Sequence, residues 1–284
     1  MIDLHTHSTY SDGTLTPTEL IALANRVGVS AIALCDHNTV AGLPEFLRAA
    51  ENTDVVAVPG IEFSTDYEGT ELHILALFIQ PEDYEPVTAL LERMVAEKEQ
   101  SNLALIQALK YAGIVLDYSA IKAGTPNGQV NRAVIAAEMV RRGYCGSIKE
   151  AFSRWLSPKR GFFTPPKRLD VFEVLRFIRS RGAVSVLAHP FLNLDEGKLR
   201  VFIQEARDWG LNGMEVFYPL FDEEKTQLAE VISEEFDLLK SGGSDFHGAN
   251  KPDISLGTGK ENLWIPNQIL AKLQHQNVEN KKIL

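Results

Sequence analysis

Short apolar runs alternate with amphipathic helical patterns along most of this chain of 284 residues. Seven of the runs have the character of buried strands, and they cover residues 2–4, 31–35, 55–58, 72–77, 183–188, 213–217 and 238–242. Runs of this length between helical patterns are typical of parallel strands in βα units. The pattern therefore predicts an α/β fold, and seven strands suggest a barrel that is incomplete or distorted.

One long segment breaks this alternation. From residue 84 to residue 167 the pattern is almost wholly helical, and it begins with a long amphipathic stretch that reaches Tyr111. Long insertions in the loops of such folds commonly carry functional parts. We therefore expect a barrel formed by residues 1–83 and 168–284, with residues 84–167 as a helical insertion that caps the substrate site.

The net charge of the chain is −10, and it contains two cysteines, Cys35 and Cys145. No apolar run approaches the ~20 residues of a membrane-spanning helix, and the N-terminus has no signal-peptide pattern. We therefore expect a cytoplasmic protein with no disulfide framework and no membrane partner. The acidic balance also argues against duplex DNA as a partner. Residues 132–168 are an exception, because nine basic and two acidic residues give them a net charge of +7.

Histidines and carboxylates recur where the apolar runs end. Six of the seven histidines lie at the end of a run or within one, and His275 alone lies outside this pattern. The C-terminal ends of parallel barrel strands meet on one face, so these side chains are expected to converge. The candidate ligands are His5, His7, Asp12, His37, Glu62, His73, His189, Asp245 and His247. One metal ion cannot use so many ligands, so the set predicts a centre of two or three divalent ions.

Most of these residues lie in short segments that follow one another in the order Asp3-Leu4-His5-Thr6-His7, Asp36-His37, Pro59-Gly60-Ile61-Glu62, Glu71-Leu72-His73-Ile74, Leu187-Ala188-His189-Pro190 and Ser244-Asp245-Phe246-His247. Over nearly the whole chain this series resembles the polymerase and histidinol phosphatase (PHP) superfamily. The resemblance implies a distorted seven-stranded β/α barrel and a phosphoesterase with two or three divalent metal ions. It also implies three ligand sets, which are His5, His7, Glu62 and Asp245; Asp12, His37 and His247; and Glu62, His73 and His189.

The opening of the chain, from His5 to Pro17, is most similar to the group of this superfamily that includes 3′,5′-nucleotide bisphosphate phosphatases. The resemblance therefore implies hydrolysis of the 3′-phosphate of a nucleoside 3′,5′-bisphosphate. Related members act as 5′-3′ exoribonucleases on short RNA, which is the first alternative. That group has Arg-Pro-His before the second helix of the insertion, where this chain has Arg132-Ala133-Val134. The missing histidine bears on the identity of the substrate and leaves the expected metal chemistry unchanged.

The expected mechanism is attack by a hydroxide that bridges the metal ions, which also neutralise the phosphoryl oxygens. The leaving sugar oxygen takes a proton, for which His189 and Asp245 are the candidate donors. Arg132, Lys159 and Arg160 are candidates for binding the second phosphate of the substrate. The alternative is that their basic segment is a solvated helical face. Manganese is the first expectation for the metal, with iron and zinc as alternatives.

The sequence leaves three further functions open. A phosphatase for a small molecule such as histidinol phosphate is the first, although the basic segment suits a substrate with two phosphates. A non-catalytic metal-binding module, like the PHP domains of DNA polymerases, is the second, and the complete ligand set argues against it. Amidohydrolase chemistry on a C–N bond is the third, because metal-rich β/α barrels also carry that reaction.

Overall fold

The computed structural model of the chain describes residues 1–125, 128 and 130–282. These residues form two compact units, of which the first comprises Met1–Ala89 and Arg168–Leu284 and the second Leu90–Lys167. The first unit holds every strand of the described residues, and the second is helical. The substrate-capping role expected for residues 84–167 stays a prediction.

The first unit contains an α/β fold around one mixed sheet of eight strands. The strands are β1 Ile2–Thr6, β2 Ala31–Leu34, β3 Val56–Tyr67, β4 Thr70–Leu77, β5 Leu169–Asp170, β6 Val184–Leu187, β7 Gly213–Phe217 and β8 Leu239–Gly242. Their order is β1-β2-β3-β4-β6-β7-β8, and the short β5 pairs with β3. The α/β prediction is confirmed, and each of the seven predicted runs contributes a strand.

The expectation of wholly parallel strands is wrong for β4. This strand is antiparallel to both β3 and β6, whereas the other neighbouring strands in the order are parallel. The reason is a two-residue turn, because Glu68 and Gly69 both have positive φ angles, 50° and 81°. Such a turn joins two strands directly into a hairpin, without the helix that a parallel crossover needs.

The helices are α1 Pro17–Val27, α2 Leu43–Ala50, α3 Tyr84–Tyr111, α4 Tyr118–Ala123, α5 Arg132–Arg141, α6 Ile148–Ala151, α7 Val171–Ser180, α8 Glu196–Trp209, α9 Glu223–Glu235 and α10 Gln268–Lys282. Helix α1 begins where the sequence provides a cap, since Thr16 Oγ1 accepts from Glu19 N at 3.2 Å and Glu19 Oε2 accepts from Thr16 N at 2.8 Å. It ends at Gly28, whose φ is 78°. No helix of the described residues is long and apolar enough to span a membrane.

Each unit has its own hydrophobic core. In the first unit, side chains of the sheet such as Leu4, Leu75 and Val186 pack with Leu273 of α10. In the second unit, the core contains Leu105, Leu109, Ile135, Met139 and Phe163, together with further buried side chains of residues 114–156. Burial of these apolar surfaces is the main stabilising contribution to each unit.

Backbone hydrogen bonds join the end of β1 to the segment that follows β8. The amide of Asp245 donates to the carbonyl of His5 at 2.8 Å, and the amide of His7 donates to the carbonyl of Phe246 at 2.9 Å. The approach is so close at Gly243 that an added Cβ would lie 2.3 Å from the Cβ of His5. A glycine is therefore required at this position.

The buried carboxylate of Asp3 reinforces this junction. It accepts from Ser244 N at 2.8 Å, from Ser244 Oγ at 2.5 Å and from Gly257 N at 2.8 Å. Three donors on one buried carboxylate satisfy polar groups that would otherwise be unpaired in the interior.

We expect Asp3→Ala to lower the free energy of unfolding by about 2–4 kcal/mol, because it leaves buried donors of Ser244 and Gly257 unpaired. Denaturant titration followed by circular dichroism measures this change. The matched control is Asp54→Ala, at an exposed acid, where the expected change is below about 0.5 kcal/mol. Equal stabilities of the two variants would contradict the role given to Asp3.

Candidate metal centre

The carboxylate of Glu62 lies at the centre of a group of imidazoles. Glu62 is fully buried in β3. Its Oε2 lies 3.3 Å from His5 Nε2, 3.2 Å from His7 Nε2 and 3.0 Å from His37 Nδ1, and its Oε1 lies 2.8 Å from His73 Nδ1 and 3.1 Å from His189 Nε2. Five of the six histidines singled out in the sequence therefore approach one carboxylate.

Strand geometry explains how β3 and β4 contribute to this group. In the antiparallel pairing of β3 with β4, Glu62 lies opposite Leu75. His73 is two residues from Leu75 along β4, so it shares the same face of the sheet and lies diagonal to Glu62. The expectation that the ligands come from the ends of parallel strands is therefore wrong for His73, which reaches the site from within an antiparallel strand.

Within the described residues, three groups of side chains have their ligand atoms close enough to share an ion. The groups are His7, Asp12, His37 and His247; His5, His7 and Asp245; and His37, Glu62 and His73. In each group, the ligand atoms lie within 4.8 Å of one another. The structure therefore brings eight of the nine predicted ligands into three groups, while the ninth, His189, approaches the third group through its contact with Glu62.

Unpaired buried atoms indicate that the donor set suits cations. Glu62 Oε2 and His37 Nδ1 lie 3.0 Å apart, yet neither atom forms a hydrogen bond, and buried His7 Nδ1 forms none either. The Nε2 atoms of His5 and His7 face each other at 3.1 Å. Buried polar atoms without partners are rare and costly in folded proteins. Imidazole nitrogens and carboxylate oxygens are ligands for divalent manganese, iron and zinc, so the residues present fit such ions.

The electrostatics of the site also favour positive charge. Burial opposes protonation of His7, but the carboxylates of Asp245 and Glu62 outweigh it and raise the pKa of His7 to about 9. In the same way, Glu62 overcomes burial and raises the pKa of His73 to about 10. At His37 burial dominates and lowers the pKa to about 4. The same negative field that holds protons on imidazoles attracts divalent cations, which displace those protons when they bind.

Glu215 supports two of the candidate ligands, and the sequence analysis missed it. It is fully buried in β7. Its Oε1 lies 2.9 Å from His5 Nδ1, and its Oε2 accepts from the backbone amide of His189 at 2.6 Å. A carboxylate on one imidazole nitrogen directs the other nitrogen towards a metal. The signal available in the sequence was a single acid within the apolar run of residues 213–217.

Asp245 is held from two sides. Its Oδ1 lies 3.2 Å from His7 Nε2, and its Oδ2 accepts from Tyr218 Oη at 2.8 Å and from Lys251 Nζ at 2.6 Å. Burial and the Asp245 carboxylate raise the pKa of Tyr218, so its hydroxyl stays protonated and donates. Tyr218 and Lys251 are therefore further residues of the site that the sequence analysis did not place there.

Asp12 reaches the site from a loop after β1. Its Oδ1 lies 3.2 Å from His247 Nε2, and half of its side chain is exposed. The loop is held by Asp36, whose carboxylate accepts from Ser8 N at 2.7 Å, from Ser8 Oγ at 2.6 Å and from Ser11 Oγ at 2.6 Å. Asp36 thus orders the segment that presents Asp12.

The predicted phosphate-binding residues Arg132, Lys159 and Arg160 belong to the second unit. The guanidinium of Arg132 lies 4.3 Å from the ring centre of Phe163 and donates to the carbonyl of Leu156 at 3.3 Å. Arg160 Nε donates to a backbone carbonyl at 2.5 Å, and Lys159 is exposed. These contacts show that Arg132 also packs within its unit, and the phosphate-binding role of all three stays a prediction.

Comparisons with known proteins identify the family. A family model described as the PHP domain matches residues 3–158. The chain is 36% identical over 246 residues to a 5′-3′ exoribonuclease of Haemophilus influenzae, which covers 86% of this chain and 89% of the relative. It is 27% identical over 260 residues to a 3′,5′-nucleoside bisphosphate phosphatase of Chromobacterium violaceum, with 90% of each protein covered.

A solved structure from Bifidobacterium adolescentis, provisionally described as a metal-dependent phosphoesterase, has the same fold. It matches with a TM-score of 0.78 and 25% identity, and the match covers 96% of this chain and 95% of the other. The family model spans more than half of the chain, and the relative with 36% identity spans most of it. The chain belongs to the PHP domain family.

Proposed function

We propose that the chain is a metal-dependent phosphoesterase that breaks the bond between phosphorus and the 3′-oxygen of a 5′-phosphorylated nucleotide. The observation that carries this proposal is the convergence of imidazoles and carboxylates on the buried Glu62. Two or three divalent ions bound there, manganese first and iron or zinc as alternatives, would lower the pKa of a bound water and neutralise phosphoryl oxygens. The names of the related proteins support nucleotides as the substrate class.

The two activities named for these relatives share one chemical step. A bisphosphate phosphatase removes a terminal phosphate from the 3′-oxygen, and a 5′-3′ exonuclease releases a nucleotide by breaking the same kind of bond in a diester. We propose a nucleoside 3′,5′-bisphosphate as the first substrate, as the opening motif implies. Short RNA with a 5′-phosphate is the second candidate, which the 36% identity to the exoribonuclease favours.

The side chains of the centre have distinct roles in this proposal. His5, His7 and the other predicted ligands would hold the ions. Glu62 would be shared between ions, because its Oε2 faces His5 and His7 while its Oε1 faces His73. Asp245 accepts hydrogen bonds from Tyr218 and Lys251. We therefore assign Asp245 to metal binding and not to delivery of a proton to the 3′-oxygen. His189 is then the remaining member of the predicted donor pair for the 3′-oxygen.

We also infer that the sheet closes into the distorted seven-stranded barrel implied by the family resemblance. The hydrogen bonds between the end of β1 and the segment after β8 support closure at this junction. Closure brings the first and last ligand segments together, because His5 and Asp245 are backbone neighbours there.

The first test measures phosphate release from adenosine 3′,5′-bisphosphate by the Mn²⁺-loaded protein, with AMP as the control substrate. We expect release from the bisphosphate at a rate at least about tenfold higher than from AMP, which lacks a 3′-phosphate. Release of AMP from short 5′-phosphorylated RNA, followed by chromatography, tests the second candidate in parallel. Inactivity of the loaded protein on both substrates would contradict the proposed substrate class.

The second test concerns the central carboxylate. We expect Glu62→Gln to bind at least one Mn²⁺ fewer per chain, because the neutral amide keeps the shape and loses the charge that faces five imidazoles. Elemental analysis after dialysis measures the metal content, and circular dichroism checks the fold. Glu68→Gln, at an exposed acid in the β3–β4 turn, is the matched control. Unchanged metal content in Glu62→Gln would refute the assignment of the centre.

A further inference from the structure

Lys251 places an ammonium group on a predicted metal ligand. Its Nζ lies 2.6 Å from Asp245 Oδ2, while Asp245 Oδ1 faces the imidazoles of His7 and His247 at 3.2 and 3.3 Å. One carboxylate therefore separates the lysine from the ligand atoms of the centre. No pattern in the sequence predicts a role for Lys251, and its position beside Asp245 follows only from the fold.

The segment that carries Lys251 is braced against the loop of Asp12. Asn250 Nδ2 donates to the backbone carbonyl of Asp12 at 2.7 Å, and the amide of Ala249 donates to Thr14 Oγ1 at 2.8 Å. Gly248 has a φ of 63°, and an added Cβ there would lie 2.1 Å from Thr14 Oγ1. The backbone that presents Lys251 is thus fixed relative to ligands from both ends of the chain.

Lys251 is more exposed to solvent than Asp245. Its side chain is 38% exposed, whereas that of Asp245 is 6% exposed. Tyr218 already donates to the same oxygen of Asp245 at 2.8 Å, so this oxygen keeps a hydrogen-bond partner when the ammonium turns towards another anion. A flexible, solvent-accessible ammonium beside a cation centre is suited to bind phosphate as a point charge.

We propose that Lys251 is a substrate-binding residue that contacts the phosphoryl oxygens of the group held at the metal centre. The inference rests on the proposed function and adds to it a specific phosphate contact from the first unit. If Asp245 shared its charge with bound divalent ions, it would attract the ammonium of Lys251 less strongly, and the ammonium would be available to an incoming anion. Lys251 would make the same contact with any phosphate that binds at the metal centre, including inorganic phosphate.

The test measures binding of inorganic phosphate to the Mn²⁺-loaded protein by calorimetry. We expect Lys251→Met to weaken phosphate binding at least about tenfold, because one charge-assisted hydrogen bond is lost. Lys251→Gln, which still has a donor for Asp245 but no charge, should show a similar loss, and Lys251→Arg should stay within about threefold of the wild type. Manganese content should be the same in all of these proteins. Lys260→Met, at an exposed lysine, is the control with unchanged affinity.

Steady-state kinetics then separate substrate binding from positioning. If adenosine 3′,5′-bisphosphate is hydrolysed, Lys251→Gln should raise KM more than it lowers kcat. Unchanged phosphate affinity in Lys251→Met and Lys251→Gln would overturn the proposal, and so would a parallel loss of manganese, which would make Lys251 a support for Asp245. Phosphate binding needs no turnover, so failure of the nucleotide proposal and failure of the lysine contact are distinguishable.

Discussion

The buried negative charge of Glu62 is the constraint around which the first unit is organised. A carboxylate without partners in a protein interior is strongly destabilising, and it is retained only when opposite charge or hydrogen-bond donors surround it. Here five imidazoles approach its two oxygens. They lower the pKa of Glu62 far below its usual value in spite of complete burial. The carboxylate and the imidazoles around it therefore form one group, whose donor atoms suit divalent cations.

The antiparallel direction of β4 brings His73 close to Glu62 of β3. A parallel crossover after β3 would have brought the chain back to the opposite end of the sheet before the next strand. The two-residue turn at Glu68 and Gly69 instead returns β4 directly alongside β3. As a result His73 lies diagonal to Glu62 on the same face of the sheet. Strand β6 then pairs with the other edge of β4, and His189 follows the end of β6.

A second set of buried acids holds the ligand-bearing segments in place. Glu215 joins His5 to the backbone of His189, Asp36 orders the loop of Asp12, and Asp3 binds the segment just before Asp245. Each of these carboxylates accepts several hydrogen bonds, and each connects parts of the chain that are distant in sequence. Ligand groups held within a few tenths of an ångström of the required geometry need such supports.

The sequence by itself determined seven of the eight strands of the described residues, the class of fold and the residue types of the candidate centre. These features are local, because apolar runs, caps and His-x-His spacing act over a few residues, and the order of the motifs was enough for the family. The tertiary structure decided which candidate ligands lie close enough to share an ion, the direction of β4, and the positions of Glu215, Tyr218 and Lys251. Those contacts join residues as far apart as 5 and 215. No local pattern encodes such pairings, since they arise only when the strands assemble into one sheet.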